Sequence, residues 1–305
     1  MDLPRIVSLC PCGTEIVCAL GFSECLVGRS HECDYPDTVT GLRPCTAPRQ
    51  QRSVSAADGS AEDYLKEYLC EHSVDIDSIK QARPALIITS QDGHNVQDRR
   101  EKLDTALASV FGSDRPRLIS LDPRDLSGVL GSIDRVAQAM FRPERGVDLI
   151  RKLRSRISNV ERRVRTLSVM PRVACIAGLD PLTVAGGWVP EMVLMAGGVC
   201  RLNQAGAPSK HIDWDMFFAD DPEVVVVMDL AGGFSNAKGI IERLAAEPRW
   251  HSLKAAQRNK VCVVDGRVYF NRPGPRLTDS LELLAEMLHP EVFGSAHKGR
   301  DWAAY

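Results

Sequence analysis

The longest regular pattern of apolar and polar positions in the chain covers residues 143–166, PERGVDLIRKLRSRISNVERRVRT. Its apolar side chains recur at steps of three and four residues, and they are Val147, Ile150, Leu153, Ile157, Val160 and Val164, continued by Leu167. This spacing places them on one face of a helix, and Pro143 suits a first helical position. A helix of about 24 residues is roughly 36 Å long. We predict a stiff helix that connects two halves of the chain; an amphipathic helix within one continuous domain is the alternative.

The segment before this helix alternates short apolar runs with helical patterns. The predicted strands are 5–9, 25–29, 85–89 and 117–121, and the predicted helices are 14–20, 61–72, 76–82, 97–110 and 125–141. Gly13 or Thr14 is expected to cap the first helix, which ends at Gly21. Between 37 and 58 the composition turns to Pro, Arg, Gln and Ser, which predicts a long loop.

The segment after the helix repeats this order. The predicted strands are 172–178, 223–229 and 260–266, and the predicted helices are 189–198, 213–219 and 236–246. Corresponding positions lie 167, 138 and 143 residues apart (172 − 5, 222 − 84 and 260 − 117), which indicates an internal duplication with an insertion in the first half. We predict an α/β fold of two lobes with mainly parallel sheets: an N-terminal lobe over 1–124, connecting helices over 125–168, a C-terminal lobe over 169–290 and a tail over 291–305.

The bulk composition narrows the class of ligand. The chain has 305 residues, 44% of them hydrophobic, and a formal net charge of -2. It has no basic excess to neutralise phosphates or anionic lipid, which argues against nucleic acid and membrane surfaces and favours a small molecule. Neither a signal-peptide pattern at the amino terminus nor a run of 18 apolar residues is present. We expect a cytoplasmic location for the chain as written, and a periplasmic one if the sequence is a processed mature form.

The ten cysteines lie within predicted strands and helices as well as loops. Because a chain of this size needs no disulfides, we expect mostly reduced, buried thiols. Near the amino terminus, a metal cluster is conceivable from Cys10, Cys12, Cys18, Cys25, Cys33 and His31. The sequence has no C-x-x-C pair, however, so we predict no metal and no resident cofactor.

Polar and aromatic residues follow several predicted strands, at the sheet edge where open α/β folds bind ligands. We therefore predict ligand binding by His31, Glu32, Tyr35, Gln91, Asp92, His94, Trp188, Glu191, Tyr269, Phe270, Asn271 and Arg272. The alternatives are core packing for Trp188, solvent exposure for the 91–95 loop, and a turn that merely contains aromatic residues for 269–272.

Arg272 is the residue on which we place most weight. Pro273 disfavours a helical backbone at Arg272, so we expect its guanidinium to project from the loop and hold a carboxylate, phosphate or amide oxygen of a ligand. The rings of Tyr269 and Phe270 are expected to shield that contact from water. The alternative is that Arg272 pairs with a buried acid such as Asp265 to hold the loop.

An enzyme is the second class of function. His31 and Glu32 are adjacent and form a candidate acid–base pair, which Asp34 can join. The sequence contains no G-x-S-x-G, H-E-x-x-H or phosphate-binding glycine loop. We therefore favour a binding protein over an enzyme.

Three segments, GRSHECDYP, DPLTVAGGWVPEMV and YFNRPGPRL, together with the two-lobe pattern, resemble the helical-backbone family of periplasmic-binding-protein-like proteins, the class III substrate-binding proteins. Within it the chain is most similar to the vitamin B12-binding proteins that serve ABC importers. The resemblance implies capture of cobalamin or another corrinoid or tetrapyrrole-like compound between the lobes, with little closure, and delivery to an importer permease.

The chain departs from the aromatic binding site of those proteins. Tyr269 and Arg272 have the same chemical character as the residues expected there. Four other positions of that site carry residues of a different type, namely Glu32, Ser90, Leu182 and Val268. Relatives that serve importers use one carboxylate on each lobe to meet arginines of the transporter, and Asp77 and Asp215 occupy the matching places. Each is also a suitable helix-start residue, so capping is the alternative that we favour for both.

Overall fold

The structure, a computed structural model, describes residues 3–49, 60–90, 96–230 and 233–305. The chain divides into two compact units. The first comprises Met1–Pro123 and Leu130–Ile150, and the second comprises Arg124–Val129 and Arg151–Tyr305. No helix in the described part of the chain is both long and apolar enough to cross a membrane.

The first unit alternates strands and helices, as predicted. Its strands are β1 (Ile6–Ser8), β2 (Leu26–Arg29), β3 (Thr46–Ala47), β4 (Ser73–Val74), β5 (Leu86–Ser90) and β6 (Arg117–Leu121). The α-helices up to the second unit are α1 (Pro11–Ala19), α2 (Ala61–Tyr68), α3 (Ile76–Ala82), α4 (Val96–Phe111), α5 (Leu126–Ala139) and α6 (Pro143–Val164). Short 3₁₀ helices lie at Ser23–Cys25, Asp37–Gly41 and Gly112–Asp114.

A four-stranded parallel sheet with the order β2-β1-β5-β6 forms the centre of the first unit. Ile6 of β1 pairs with Leu26 on one side and Leu86 on the other. Helices cover both faces of a parallel sheet, so its central strands are buried and mainly apolar. This explains why β1 and β5 are apolar runs, and it places the loop after β2 at the carboxyl edge of the sheet.

The second unit repeats the pattern with more strands. Its strands are β7 (Val173–Leu179), β8 (Leu182–Val184), β9 (Lys210–His211), β10 (Val224–Met228), β11 (Val261–Val264) and β12 (Trp302–Ala304). Its further α-helices are α7 (Val189–Met195), α8 (Trp214–Asp220), α9 (Gly233–Ala245), α10 (Lys254–Gln257), α11 (Gly266–Tyr269), α12 (Leu277–Leu288) and α13 (Pro290–Phe293), with a 3₁₀ helix at Trp250–Ser252.

The six-stranded sheet of this unit has the order β12-β11-β10-β7-β8-β9. Strands β7, β10 and β11 are parallel, whereas β8, β9 and β12 run antiparallel to their neighbours. Alternate residues of β10 enter two separate cores: Val224 and Val226 pack on one face, and Val225 and Val227 on the other. The segment predicted as a tail thus adds an edge strand, and a strand also lies in the predicted loop between β7 and α7.

The internal repeat extends to the ends of two short helices, α3 and α8. Asp75 accepts a hydrogen bond from the Ser78 backbone N–H at 2.9 Å, and Asp213 accepts one from the Met216 N–H at 2.6 Å. Each helix ends in a left-handed residue, Arg83 or Asp221, before a proline and a buried strand. The cap residues are 138 positions apart (213 − 75), the offset of the prolines.

The capping interpretation of Asp77 and Asp215 was therefore wrong, because the helix caps lie two residues earlier. Asp77 and Asp215 are exposed residues of the first turns. Asp215 forms an ion pair with Arg249, with 2.7 Å between the nearest nitrogen and oxygen. The first-turn position is still favourable for a carboxylate, because the helix N-terminus carries partial positive charge.

Helix α6 begins at Pro143 as predicted, starts in the first unit and ends in the second. Leu153, Ile157 and Val160 are buried within the second unit. Val147, which the apolar stripe included, is 52% exposed. The stripe predicted the helix correctly, and its first member lies outside the packed face.

Candidate functional site

The loop after β2 carries the first group of predicted site residues, and a neighbouring threonine positions it. The hydroxyl of Thr46 in β3 lies 2.7 Å from Nδ1 of His31 and accepts a hydrogen bond from the His31 backbone N–H at 3.0 Å. It also lies 2.9 Å from the hydroxyl of Ser30. Thr46 and Ser30 are both buried, so the orientation of the His31 ring is set by a polar contact within the core.

The carboxylate of Glu32 contacts a residue that we did not predict. Oε2 of Glu32 lies 2.9 Å from Nε2 of His72, which precedes β4. The rings of His31 and His72 meet edge to face, with their centroids 4.6 Å apart. Since β4 pairs with β3, the same two-stranded ribbon that supplies Thr46 brings His72 beside His31. The structure thus replaces the predicted His31–Glu32 pair with a cluster of His31, Glu32 and His72.

The pKa values of the two histidines in this cluster are shifted in opposite directions. Burial lowers the pKa of His31, and the neighbouring His72 lowers it further. The hydrogen bond with Glu32 raises the pKa of His72 against the opposing effect of burial. At neutral pH, His31 is therefore the imidazole that more readily presents a neutral nitrogen.

Arg29, the last residue of β2, fastens the loop that follows it. One guanidinium nitrogen donates to the carbonyls of Ser30 at 2.9 Å and His31 at 3.3 Å. Its other nitrogens reach the carbonyls of Leu42 at 3.2 Å and Thr40 at 3.0 Å. A planar guanidinium with five donors is suited to binding several carbonyls at once. The Arg29 side chain therefore organises the chain as far as residue 42, which includes the first part of the predicted long loop.

Two other predictions in this unit have different outcomes. Tyr35 is 46% exposed, so its ring is accessible to a ligand. Gln91, Asp92 and His94 lie outside the described residues, and their binding role stays a prediction. Ser90, the last residue of β5, is half-buried.

The second group of predicted residues lies in the other unit, where Trp188 precedes α7. Trp188 is half-buried and packs against the core around Val189 and Phe270. Its indole N–H donates to the Phe270 carbonyl at 3.0 Å. Glu191, in the first turn of α7, accepts a hydrogen bond from the Leu126 backbone N–H at 3.1 Å. Core packing, the alternative that we gave for Trp188, thus explains the buried part of its ring.

We predicted a loop over residues 269–272. The structure instead has a short helix, α11, over Gly266–Tyr269, and Asp265 is its N-terminal cap. Gly266 is required there, since a Cβ would lie 2.6 Å from the Met228 carbonyl oxygen. Tyr269 is half-buried, and its hydroxyl donates to Asp301 at 2.8 Å. Burial and this hydrogen bond raise the pKa of Tyr269, so the phenol stays protonated.

The predicted roles of Phe270 and Arg272 need correction. Phe270 is 1% exposed and belongs to the core, so it does not offer a ring face to the surface. Arg272 is 6% exposed, so its guanidinium does not project from the loop as expected. Asn271 remains exposed and donates to the Leu230 carbonyl at 3.1 Å. Arg272 is thus buried beneath the loop surface, and a direct role for it in ligand binding stays a prediction.

Comparison with known proteins identifies the family to which the chain belongs. The family model described as periplasmic binding protein matches residues 6–268. The chain belongs to the periplasmic binding protein family. This membership confirms the resemblance drawn from the three sequence segments. The match covers the loop after β2 and the start of α7, and it ends within α11, just before Phe270 and Arg272.

Three proteins illustrate the range of similar periplasmic binding proteins. A vitamin B12-binding protein of Photorhabdus laumondii is 23% identical over 286 residues, covering 93% of this chain and 88% of that protein. An uncharacterized ABC transporter substrate-binding lipoprotein, YvrC of Bacillus subtilis, is 22% identical over 294 residues, covering 95% and 81%. The structure of the periplasmic heme-binding protein RhuT from Roseiflexus sp. RS-1 in apo form superposes with a TM-score of 0.69 at 24% identity, covering 95% of this chain and 100% of that one. The structural likeness confirms the predicted fold.

The thiols of this family member are reduced, and eight of the ten are buried, whereas Cys18 and Cys200 are half-buried. All ten cysteines lie within the described residues and are free. The Sγ atoms of Cys10 and Cys12 are 3.5 Å apart, and their hydrogen bond, with burial, raises the pKa of Cys10. Burial raises the pKa of Cys33 to about 11 and that of Cys262 to about 12. These groups are therefore poor nucleophiles at neutral pH, because the thiolate is the reactive form.

A cavity of about 240 Å³ in the second unit lies away from the predicted site residues. It is lined by Leu167, Val224 and His289, among others. Val224 is the first residue of β10, so this cavity lies at the amino end of that strand. In open α/β folds ligands bind outside the carboxyl ends of the strands. We therefore retain the residues of the loop after β2 and those around Trp188 as the candidate binding residues.

Proposed function

We propose that the chain is a substrate-binding protein that captures a corrinoid or related tetrapyrrole, with cobalamin first and heme second, for an ABC importer. The observation that carries the proposal is similarity along 93% of the chain to a protein named for vitamin B12 binding. The structural likeness to RhuT, named for heme binding, supports heme as the second ligand. Both ligands are large, flat macrocycles, for which aromatic side chains and a few fixed polar groups are suitable contacts.

The described residues offer such contacts in each unit. Tyr35 presents an exposed ring, and His31 and Glu32 lie four and three positions before it, respectively. In the second unit, the accessible part of the half-buried Trp188 ring and the exposed amide of Asn271 are the corresponding groups. A ligand position between the two units, which the resemblance implies, stays a prediction.

Titration of the purified chain with cyanocobalamin and, separately, with hemin tests the proposal. We expect saturable binding of one equivalent of cyanocobalamin by calorimetry, accompanied by a change in tryptophan fluorescence. Tyr35→Ala and Trp188→Phe should weaken binding, whereas Tyr305→Ala, an exposed tyrosine at the other end of the chain, is the control. Saturable binding of hemin alone would select the second ligand, and binding of neither would refute the proposal.

The proposal includes docking to a transporter through Asp77 and Asp215. Both carboxylates are exposed in first turns of equivalent helices, one in each unit, which is the arrangement expected of a matched pair of docking charges. Asp77→Lys with Asp215→Lys should abolish stimulation of the importer ATPase in reconstituted vesicles and leave ligand affinity unchanged. Glu24→Lys, another exposed acid, is the matched control. Full stimulation by the double variant would exclude this docking mode.

Two alternatives stay as hypotheses. A catalytic role for His31 and Glu32 predicts turnover of a bound metabolite that His31→Ala removes while binding persists, and none of the similar proteins described above is named as an enzyme. The cytoplasmic location receives no support from the relatives, of which one is named a lipoprotein and another periplasmic.

A further inference from the structure

A set of metal-ligating side chains lies together in the first unit, made of residues that are distant in sequence. Each of His31, Glu32 and His72 offers one ligand atom, and these atoms all lie within 4.8 Å of one another. The nearest pair, Glu32 Oε2 and His72 Nε2, is 2.9 Å apart. We propose that His31, Glu32 and His72 bind one divalent transition-metal ion, with zinc as the reference ion, a function that goes beyond the tetrapyrrole binding proposed above and shares His31 and Glu32 with it.

The donor set decides the class of metal. Two imidazole nitrogens and one carboxylate oxygen suit Zn²⁺, Co²⁺ and Ni²⁺, whereas Mg²⁺ and Ca²⁺ prefer sites made of oxygen. Three protein ligands are one fewer than a tetrahedral ion needs, so a fourth position remains for water or another ligand. The exposed Glu71 carboxylate lies 3.7 Å from Nε2 of His72 and is outside this set of three.

The supporting contacts hold the first ligand in place. Nδ1 of His31 is engaged by the Thr46 hydroxyl at 2.7 Å, which leaves Nε2 as the coordinating nitrogen. Metal-binding histidines characteristically use their second nitrogen in this way, since the contact fixes both tautomer and ring orientation. Thr46 is itself held by the buried Ser30 hydroxyl at 2.9 Å. The orientation of His31 is therefore set without any metal.

Closing the site requires only small side-chain movements. Bonds of about 2.0–2.2 Å to a tetrahedral ion place ligand atoms about 3.4 Å apart, against the 4.8 Å limit within which these atoms lie. The side chain of Glu32 is 43% exposed and that of His72 is 16% exposed, so the carboxylate has room to rotate. The ion would replace the direct contact between Glu32 and His72 with a shared bond to the metal. His72 also explains why the sequence did not predict the site, because it follows Glu32 by 40 residues (72 − 32).

The test uses the full chain, stripped with a chelator and titrated with Zn²⁺ and with Co²⁺ under reducing conditions. We expect one equivalent of each ion by equilibrium dialysis. Glu32→Gln and His72→Gln should each weaken binding at least tenfold, and Thr46→Val should weaken it by about 10–100-fold through loss of the supporting contact. His251→Ala, an exposed histidine of the second unit, is the matched control and should bind as the wild type does.

The Co²⁺ absorption spectrum separates this site from the cysteines. Tetrahedral nitrogen and oxygen ligation produces visible d–d bands alone, whereas thiolate ligands add intense charge-transfer absorption in the near ultraviolet. Intense thiolate bands, or Zn²⁺ binding that is unchanged in both Glu32→Gln and His72→Gln, would overturn the proposal. Glu32 is exposed, so Glu32→Gln is expected to fold. The test therefore stays decisive even if a histidine variant fails to fold. Cyanocobalamin titration of the same metal-free protein shows separately whether the tetrapyrrole proposal holds.

Discussion

The indole N–H of Trp188 donates to the backbone carbonyl of Phe270 at 3.0 Å, although the two residues are 82 positions apart. This contact joins the start of α7 to the end of α11. Both rings belong to the same side of the second unit, where Phe270 is buried in the core and Trp188 packs at its margin. One bond therefore fixes the relative positions of two segments that we predicted to bind ligand.

Trp188→Phe tests the structural part of this role, because it keeps most of the ring and removes the donor. The Phe270 carbonyl loses its partner, so we expect the free energy of unfolding to fall by about 1–2 kcal/mol. Urea unfolding measures this change. Trp214→Phe is the comparison, because Trp214 is a half-buried tryptophan that packs with Phe217 and Phe218. An equal loss in both variants would argue against a special role for the Trp188 bond.

Arg272→Ala should now act mainly on stability. The side chain is 6% exposed, so its removal leaves a cavity, for which we expect a loss of about 2–4 kcal/mol. Thermal unfolding should show a clear drop in Tm. Arg267→Ala, an exposed arginine in α11, should have little effect. If Arg272→Ala leaves Tm unchanged and abolishes cyanocobalamin binding, the original expectation of a ligand anchor is correct instead.

Arg29→Ala is predicted to loosen the loop after β2. Arg29 donates to four carbonyls between residues 30 and 42, so its loss frees several backbone groups at once. We expect amide hydrogen exchange in this loop to accelerate by at least about tenfold, with little change in the strands of the sheet. Mass spectrometry of peptic peptides measures this. Arg43→Ala removes a neighbouring arginine that contacts Gln81, and equal acceleration there would show that the effect is not specific to Arg29.

The elements that local patterns determine were predicted closely, and the contacts between distant segments were not. The run RLISL predicted residues 117–121, which are the residues of β6. The start of α1 was misplaced because Pro11 begins that helix without a side-chain cap, whereas the polar residues Gly13 and Thr14 attracted the prediction. A proline at the first helical position was the available signal.

In the candidate site, too, local sequence patterns predicted some residues, whereas residues placed by contacts between distant segments were missed. The loop residues His31 and Glu32 follow a strand, a position that sequence pattern alone can identify. His72 was missed because its place beside them depends on the pairing of β3 with β4, two residues each, for which the sequence carries no periodicity. Arg272 was expected to project from the loop because Pro273 disfavours a helical backbone there, whereas its burial depends on the packing of the whole loop.

The contact between α6 and α12 should make a modest, salt-sensitive contribution. Arg156 donates to Glu282 at 3.0 and 2.6 Å and to Asp279 at 2.5 Å. The three side chains are 33–40% exposed, so solvent screens the pair, and we expect Arg156→Ala to cost only about 0.5–1 kcal/mol. A double-mutant cycle with Glu282→Ala isolates the pair. Arg154→Ala, an exposed residue of the same helix, is the control, and a coupling that persists at 1 M salt would contradict the screened description.

Glu286 should make the stability of the second unit dependent on pH. Its buried carboxylate accepts hydrogen bonds from the Trp302 indole at 2.8 Å and the His297 backbone N–H at 2.9 Å, and its other oxygen lies 2.9 Å from His297 Nδ1. Burial alone raises the pKa of Glu286, but the contacts with His297 and Trp302 outweigh it, so the pKa lies below its usual value. The charged form thereby anchors the strand β12.

The sign of the effect follows from this lowered pKa. In the unfolded chain Glu286 binds a proton near its usual pKa of about 4.3, whereas in the folded chain it does so only at lower pH. Its stabilisation is therefore fully present above about pH 4.3 and is lost as the pH falls through the folded pKa. We expect Glu286→Gln to cost about 1–3 kcal/mol at pH 7 and to flatten the decline in acid. Urea unfolding of both proteins between about pH 3 and 7 measures the difference, with the exposed Glu291→Gln as control. Parallel profiles for wild type and Glu286→Gln would show that this carboxylate does not anchor β12.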